Sequence, residues 1–122
     1  MNSENDLNKR LFMFAVHTIR FLSKLKYSPE TKVIRLQLTK SSTSSGANYE
    51  ESQAGSSKAD FINKVLIALR EMRESNYWLR LLNEVISLDI KKSEELNLLI
   101  SESKELKKIL GTIVTRSRKN LK

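Results

Sequence analysis

The chain has 122 residues, no cysteine and a formal net charge of +8 at pH 7. This length fits one domain, and the absence of cysteine excludes disulfides, thiolate nucleophiles and zinc–thiolate sites. The positive charge favours polyanionic partners, nucleic acid first, although it also serves solubility.

The first predicted helix covers residues 5–27. Apolar residues recur along it at alternating spacings of four and three, which is typical of a helix packed nearly parallel to its neighbours. This seam comprises Leu7, Leu11, Phe14, Thr18, Phe21 and Leu25, and a second stripe comprises Phe12, Ile19 and Leu22. Residues 11–16 are apolar on every side, so we expect another subunit to cover part of this helix.

The second predicted helix covers residues 29–53, with Ser28 as its cap and Pro29 in its first position. Residues 41–48 are nearly all serine, threonine, glycine and alanine, and this composition leaves two interpretations open. One is a loop or linker. The other is a helix whose small face lets another backbone approach closely, in which Gly46 costs about 1 kcal/mol relative to alanine.

Two further helices are predicted at residues 57–87 and 93–116, the first capped by Ser57 and the second beginning at Ser93. Both continue the four-three pattern. The seam of the third comprises Phe61, Val65, Ala68, Met72, Ser75, Leu79, Leu82 and Ile86, and that of the fourth comprises Leu96, Leu99, Ser103, Leu106, Leu110 and Ile113. Four amphipathic helices with short connections predict one all-α domain over residues 1–122, an antiparallel up-down-up-down four-helix bundle.

Basic residues crowd the end of the fourth predicted helix. Between residues 104 and 122 there are seven basic residues and a single acidic one, Glu105. We take six of them as candidate phosphate contacts: Lys104, Lys107, Lys108, Arg116, Arg118 and Lys119. The alternative is a solvated surface whose cations complement the carboxyl end of the helix dipole.

The sequence offers no catalytic, cofactor or metal site, and we predict that the protein is not an enzyme. His17 is the single histidine and lacks a partner at a useful spacing. Glu71 and Glu74 lie three residues apart, but a di-iron site needs Glu-x-x-His pairs. We interpret both as partners of Arg70, Arg73 or Arg80.

Segments 43–51, 57–64, 68–71 and 74–82 resemble the four-helix-bundle proteins related to the ribosomal RNA intervening-sequence protein. The most specific positions are Asn48, Glu51, Asp60, Phe61, Glu71, Glu74, Tyr77 and Trp78. In this family the serine-rich segment lies within a helix, so the resemblance favours the helical interpretation. It also implies a homo-oligomer, a pentameric ring, and one branch is similar to accessory subunits of diversity-generating reverse transcriptases.

These observations predict a basic, oligomeric, non-enzymatic protein that binds nucleic acid, RNA or DNA, through lysine and arginine contacts to phosphate. The alternative is a protein-interaction module, such as an accessory subunit of a reverse transcriptase. Because the first ten residues do not have the pattern of a signal peptide and no window is apolar enough to span a bilayer, we expect a cytoplasmic protein without a membrane partner.

Overall fold

The computed structural model describes residues 3–55 and 57–120, which form four α-helices and no strand. They are α1 (Ser3–Ser23), α2 (Pro29–Gln53), α3 (Lys58–Val85) and α4 (Ile90–Lys119). Each helix packs against the next one along the chain, and α1 also packs against α4. The α2–α3 contact is the most extensive and the α1–α4 contact the least. The all-α four-helix architecture predicted from periodicity is thus confirmed.

The first helix ends four residues before the predicted boundary. At its end the backbone bonds from Lys24 N–H to Phe21 O and from Leu25 N–H to Leu22 O, both 3.1 Å, tighten the final turn. The chain then reaches Ser28, which is extended and accepts a bond from Thr31 N–H. An extended residue is favoured there because Pro29 follows it.

The fourth helix begins at Ile90, and the predicted start at Ser93 is wrong. Asp89 caps the helix, because its carboxylate accepts a 2.8 Å bond from the backbone N–H of Lys92. Ser93 already lies inside the first turn, where its own N–H donates to Asp89 O. The other ends differ by only a few residues, since α3 ends at Val85 and α4 continues to Lys119.

The predicted seams form the core of the bundle. Every seam residue is buried except Leu25, Phe61, Ile86 and Ile113, which pack against the core while partly exposed. The second stripe of α1 divides, because Leu22 is buried whereas Phe12 and Ile19 are 60% and 43% exposed. A strip of α1 therefore remains uncovered by its own chain.

The serine-rich segment is helical throughout and forms the buried face of α2, so the loop interpretation is wrong. The Oγ atoms of Ser41 and Ser75 lie 2.7 Å apart, and Ser45 Oγ donates to Ala68 O at 2.8 Å. These small side chains find hydrogen-bond partners while letting α3 approach. On the other side, a Cβ added to Gly46 would lie 3.3 Å from Leu11 Cβ, so glycine permits close contact with α1.

Candidate nucleic-acid interface

The six predicted phosphate contacts lie on the carboxyl-terminal half of α4. Five of them are exposed and Lys107 is half-buried. Because one helical residue rises about 1.5 Å, the stretch from Lys104 to Lys119 extends over roughly 22 Å. Within the described part of the chain, none of the six forms an ion pair. Their charges are consequently available to an external anion.

A groove of about 820 Å³ runs between α3 and α4 along this basic stretch. We call it the α3–α4 groove. Its apolar wall includes Leu66, Leu69 and Val114. Six cations line it: Lys107, Lys108, Arg116, Arg118 and Lys119 from α4, and Arg73 from α3. The structure thus brings five of the six predicted residues together and leaves Lys104 outside the lining.

Arg73 is a groove residue that the sequence interpretation assigned to a different role. Arg70, Arg73, Tyr77 and Arg80 follow one another at spacings of three, four and three, so they share one face of α3. No ion pair or hydrogen bond joins the guanidinium of Arg70 or Arg73 to a described residue. This spacing was the signal that could have placed Arg73 on an exposed basic face of α3.

The predicted pairing of Glu71 and Glu74 with arginine is wrong for the described residues. Glu74 instead accepts a 3.1 Å bond from Trp78 Nε1. Burial raises the pKa of the half-buried Glu71, the neighbouring Glu74 raises it further, and Lys40 lowers it. Burial thus makes the charged form of Glu71 less favourable than that of a fully exposed glutamate.

Tyr77 and Trp78 lie in different surroundings, as adjacent helical residues must. Trp78 packs partly against the core. Tyr77 is 50% exposed; its ring meets that of Trp78 edge-on at 5.1 Å, and the Cζ of Arg80 lies 6.0 Å from its centroid.

The remaining motif residues have structural surroundings. Asn48 donates to Ser44 O at 2.9 Å, while Glu51 is exposed. Asp60 belongs to the first turn of α3, where its N–H donates to Ser57 Oγ, and Phe61 is partly buried. Among the described residues no group of three or more histidine, cysteine or acidic side chains is placed to hold a metal ion.

A second groove, of about 730 Å³, lies between α1 and α4 and has a different character. We call it the α1–α4 groove. Its apolar lining comprises Met13, Phe14, Phe21, Leu98 and Leu99, and His17 lies exposed at its side. Arg10 crosses it with two bonds to Glu102, at 2.6 and 3.1 Å. Because acidic and basic side chains both border this groove, it does not select for an anion.

Within the described ranges, no helix is both long enough and apolar enough to cross a bilayer.

Comparison with known proteins identifies a matching family model and similar solved structures. The family model described as 23S rRNA-intervening sequence protein matches residues 3–112. A crystal structure of a protein with unknown function, from the S23 ribosomal protein family of Bacteroides thetaiotaomicron VPI-5482, is 33% identical with a TM-score of 0.74. The similarity covers 88% of this chain and 97% of that one. None of the curated proteins compared matches the chain.

The family match covers α1, α2, α3 and most of α4, including Arg73, Lys107 and Lys108. It ends before Arg116, Arg118 and Lys119. The family therefore accounts for the bundle and for part of the α3–α4 groove, and the last cations of the groove lie beyond the matched residues.

Proposed function

Because the chain belongs to the 23S rRNA-intervening sequence protein family, we propose that it is a non-enzymatic nucleic-acid-binding protein whose ligand is RNA. One observation carries this proposal: six cations from two helices line the α3–α4 groove. A groove with one sign of charge concentrates field lines and attracts a polyanion. Phosphates of DNA would be attracted by the same charges.

The expected binding is directed at the phosphate backbone and has little sequence specificity. Lysine acts as a point charge, whereas the planar guanidinium of Arg73 or Arg118 can donate two parallel bonds to one phosphate. Such contacts set the position of the nucleic acid but do not read its bases. The affinity arises largely from release of the counterions that the phosphates had condensed.

Salt dependence tests this function. We expect fluorescence anisotropy with a labelled structured RNA to give a linear fall of log K with log salt, with a slope near −5 if about six phosphates of a duplex are contacted. A single strand should give a slope near −4, because each contact releases fewer counterions. Binding that is indifferent to salt, or absent at about 50 mM salt, would contradict the proposal.

We further propose that the protein assembles as a homo-oligomer, a pentameric ring. Large apolar side chains remain exposed on α1 and α2, namely Phe12, Ile19 and Leu36. Such exposed apolar surface often marks a contact with another protein, here a second copy of the chain. A ring would present several basic grooves to one nucleic acid and strengthen the attraction.

Multi-angle light scattering checks the assembly. We expect a mass of five times the 14.1 kDa of the chain at micromolar concentration. Phe12→Ser, which removes an exposed apolar contact, should shift the mass towards the monomer, whereas Tyr27→Ser, at a residue just as exposed in the α1–α2 connection, should leave it unchanged. A stable monomer of the unaltered chain would exclude the ring and leave phosphate binding to be judged by the salt titration.

The alternative function, a protein-interaction module such as an accessory subunit of a reverse transcriptase, is supported by the α1–α4 groove. Leu98 is 71% exposed at its edge, above an apolar wall, and charged side chains of both signs border it. An apolar centre with a polar rim is typical of protein–protein contacts. A reverse transcriptase gene beside this one would favour this alternative, whereas a position inside a ribosomal RNA insertion would favour the first.

A further inference from the structure

Gly111 lies in the middle of the α3–α4 groove, and the packing of the bundle does not require it there. A Cβ added at Gly111 would meet nothing within 4 Å, whereas one added at Gly46 would press against α1. Glycine in a helix interior is destabilising relative to alanine, so this position loses stability without any gain in packing. Glycine also occurs where a ligand backbone approaches closely.

An aromatic ring lies on the same face of α3 as Arg73, one helical turn beyond the residues that line the groove. Tyr77 lies one helical turn from Arg73, which lines the groove, and half of its surface is exposed. The guanidinium of Arg80 lies over its ring. Proteins that bind single strands combine a basic track for the backbone with aromatic rings on which bases stack.

We propose that the α3–α4 groove takes a single strand of RNA. Its sugar–phosphate backbone passes closest to α4 at Gly111, and one of its unpaired bases stacks on Tyr77 where the strand leaves the groove. This inference rests on the proposed function and adds the strandedness of the ligand to it. In an A-form duplex the bases are stacked inside the helix and cannot lie flat on a side chain, so stacking on Tyr77 requires an unpaired nucleotide.

The test compares the affinities of the protein for two fluorescein-labelled RNAs. One is a single strand of about 12 uridines, and the other is a duplex of about the same length. We expect the single strand to bind more tightly. Tyr77→Ala should weaken its binding roughly five- to thirtyfold, with the duplex nearly unaffected. Tyr77→Phe is the matched control, because it keeps the stacking surface and should keep the affinity.

Gly111→Ala is an independent second variant. Because the added methyl group meets open space in the free protein, the melting temperature should stay equal or rise. The same methyl group should obstruct the strand and lower the affinity for polyuridylate. Asn97→Ala, at an exposed position of α4 outside the groove lining, serves as its control for a change of side chain on the same helix.

The outcomes separate this inference from the function on which it rests. If the unaltered protein binds duplex and single strand equally, and neither Tyr77→Ala nor Gly111→Ala changes this, single-strand recognition is wrong while phosphate binding stands. If the unaltered protein binds neither RNA at low salt, the proposed function itself fails. A changed oligomer mass in Tyr77→Ala would place the Tyr77 side chain in a contact between subunits and overturn its role in base stacking.

Discussion

Replacing four lining cations together, as Lys107→Gln, Lys108→Gln, Arg118→Gln and Lys119→Gln, is expected to weaken RNA binding about 100- to 1,000-fold at 100 mM salt. The slope of log K against log salt depends on how many counterions are released on binding, and each lost phosphate contact reduces that number. The slope should therefore become shallower by about three. Fluorescence anisotropy at several salt concentrations measures both quantities with the same labelled RNA.

The fold should tolerate these four changes, because none of the side chains forms an ion pair with a described residue. Removing four like charges from one surface should, if anything, relieve repulsion. A matched control removes the same total charge elsewhere: Lys9→Gln, Lys26→Gln, Lys32→Gln and Lys91→Gln, all at exposed positions.

The control distinguishes RNA binding in the α3–α4 groove from attraction by the overall positive charge of the protein. We expect the four changes outside the groove to reduce affinity far less, because those lysines are spread over α1, α2, the connection between them and the start of α4. An equal loss in both variants would mean that RNA is attracted by net charge alone. In that case the α3–α4 groove would have no special role in binding.

Gly46→Leu is expected to lower the free energy of unfolding by about 1–3 kcal/mol. The position is tight, since even a methyl carbon would lie 3.3 Å from Leu11 Cβ and 3.5 Å from the carbonyl carbon of Leu11. The rest of a leucine side chain would have to force α1 away from α2. The better helix propensity of leucine offsets only part of this cost.

Urea denaturation followed by circular dichroism measures this change. Ala47→Leu is the matched control, because the neighbouring residue on the same helix is exposed and the new side chain extends into solvent. Its stability should stay within about 0.5 kcal/mol of the unaltered protein. If the two variants were equally stable, close approach of α1 and α2 at Gly46 would not be a feature of the folded protein.

The helices and the core could be predicted from the sequence because both depend on local order. Residues at alternating spacings of four and three share one face of a helix, so the apolar seams of α1, α3 and α4 identified the buried residues directly. Ser28 and Ser57 were recognised as caps because capping depends on the type of residue that immediately precedes the helix. The start of α4 was misplaced because Asp89 and Ser93 are both good capping residues, and the local sequence does not rank them.

The candidate site was predicted only in part. Six cations at the end of the chain were identified from their clustering, and five line the groove. Arg73 was assigned to a glutamate on its own helix, because residues three or four apart are the partners that sequence spacing suggests. In the fold its guanidinium is unpaired among the described residues and borders α4 instead.

Periodicity in the sequence was enough to identify the buried faces of α1, α3 and α4 and the place where positive charge is concentrated, because a helix repeats every 3.6 residues whatever surrounds it. The packed role of the serine-rich segment in α2 became evident only from its contacts with α3. Only the packing of α3 beside α4 joined Arg73 to the cations of α4 in one groove. The physical reason is that helical periodicity sets which side chains share a face but not which helix lies opposite, and a groove between two helices exists only after they pack.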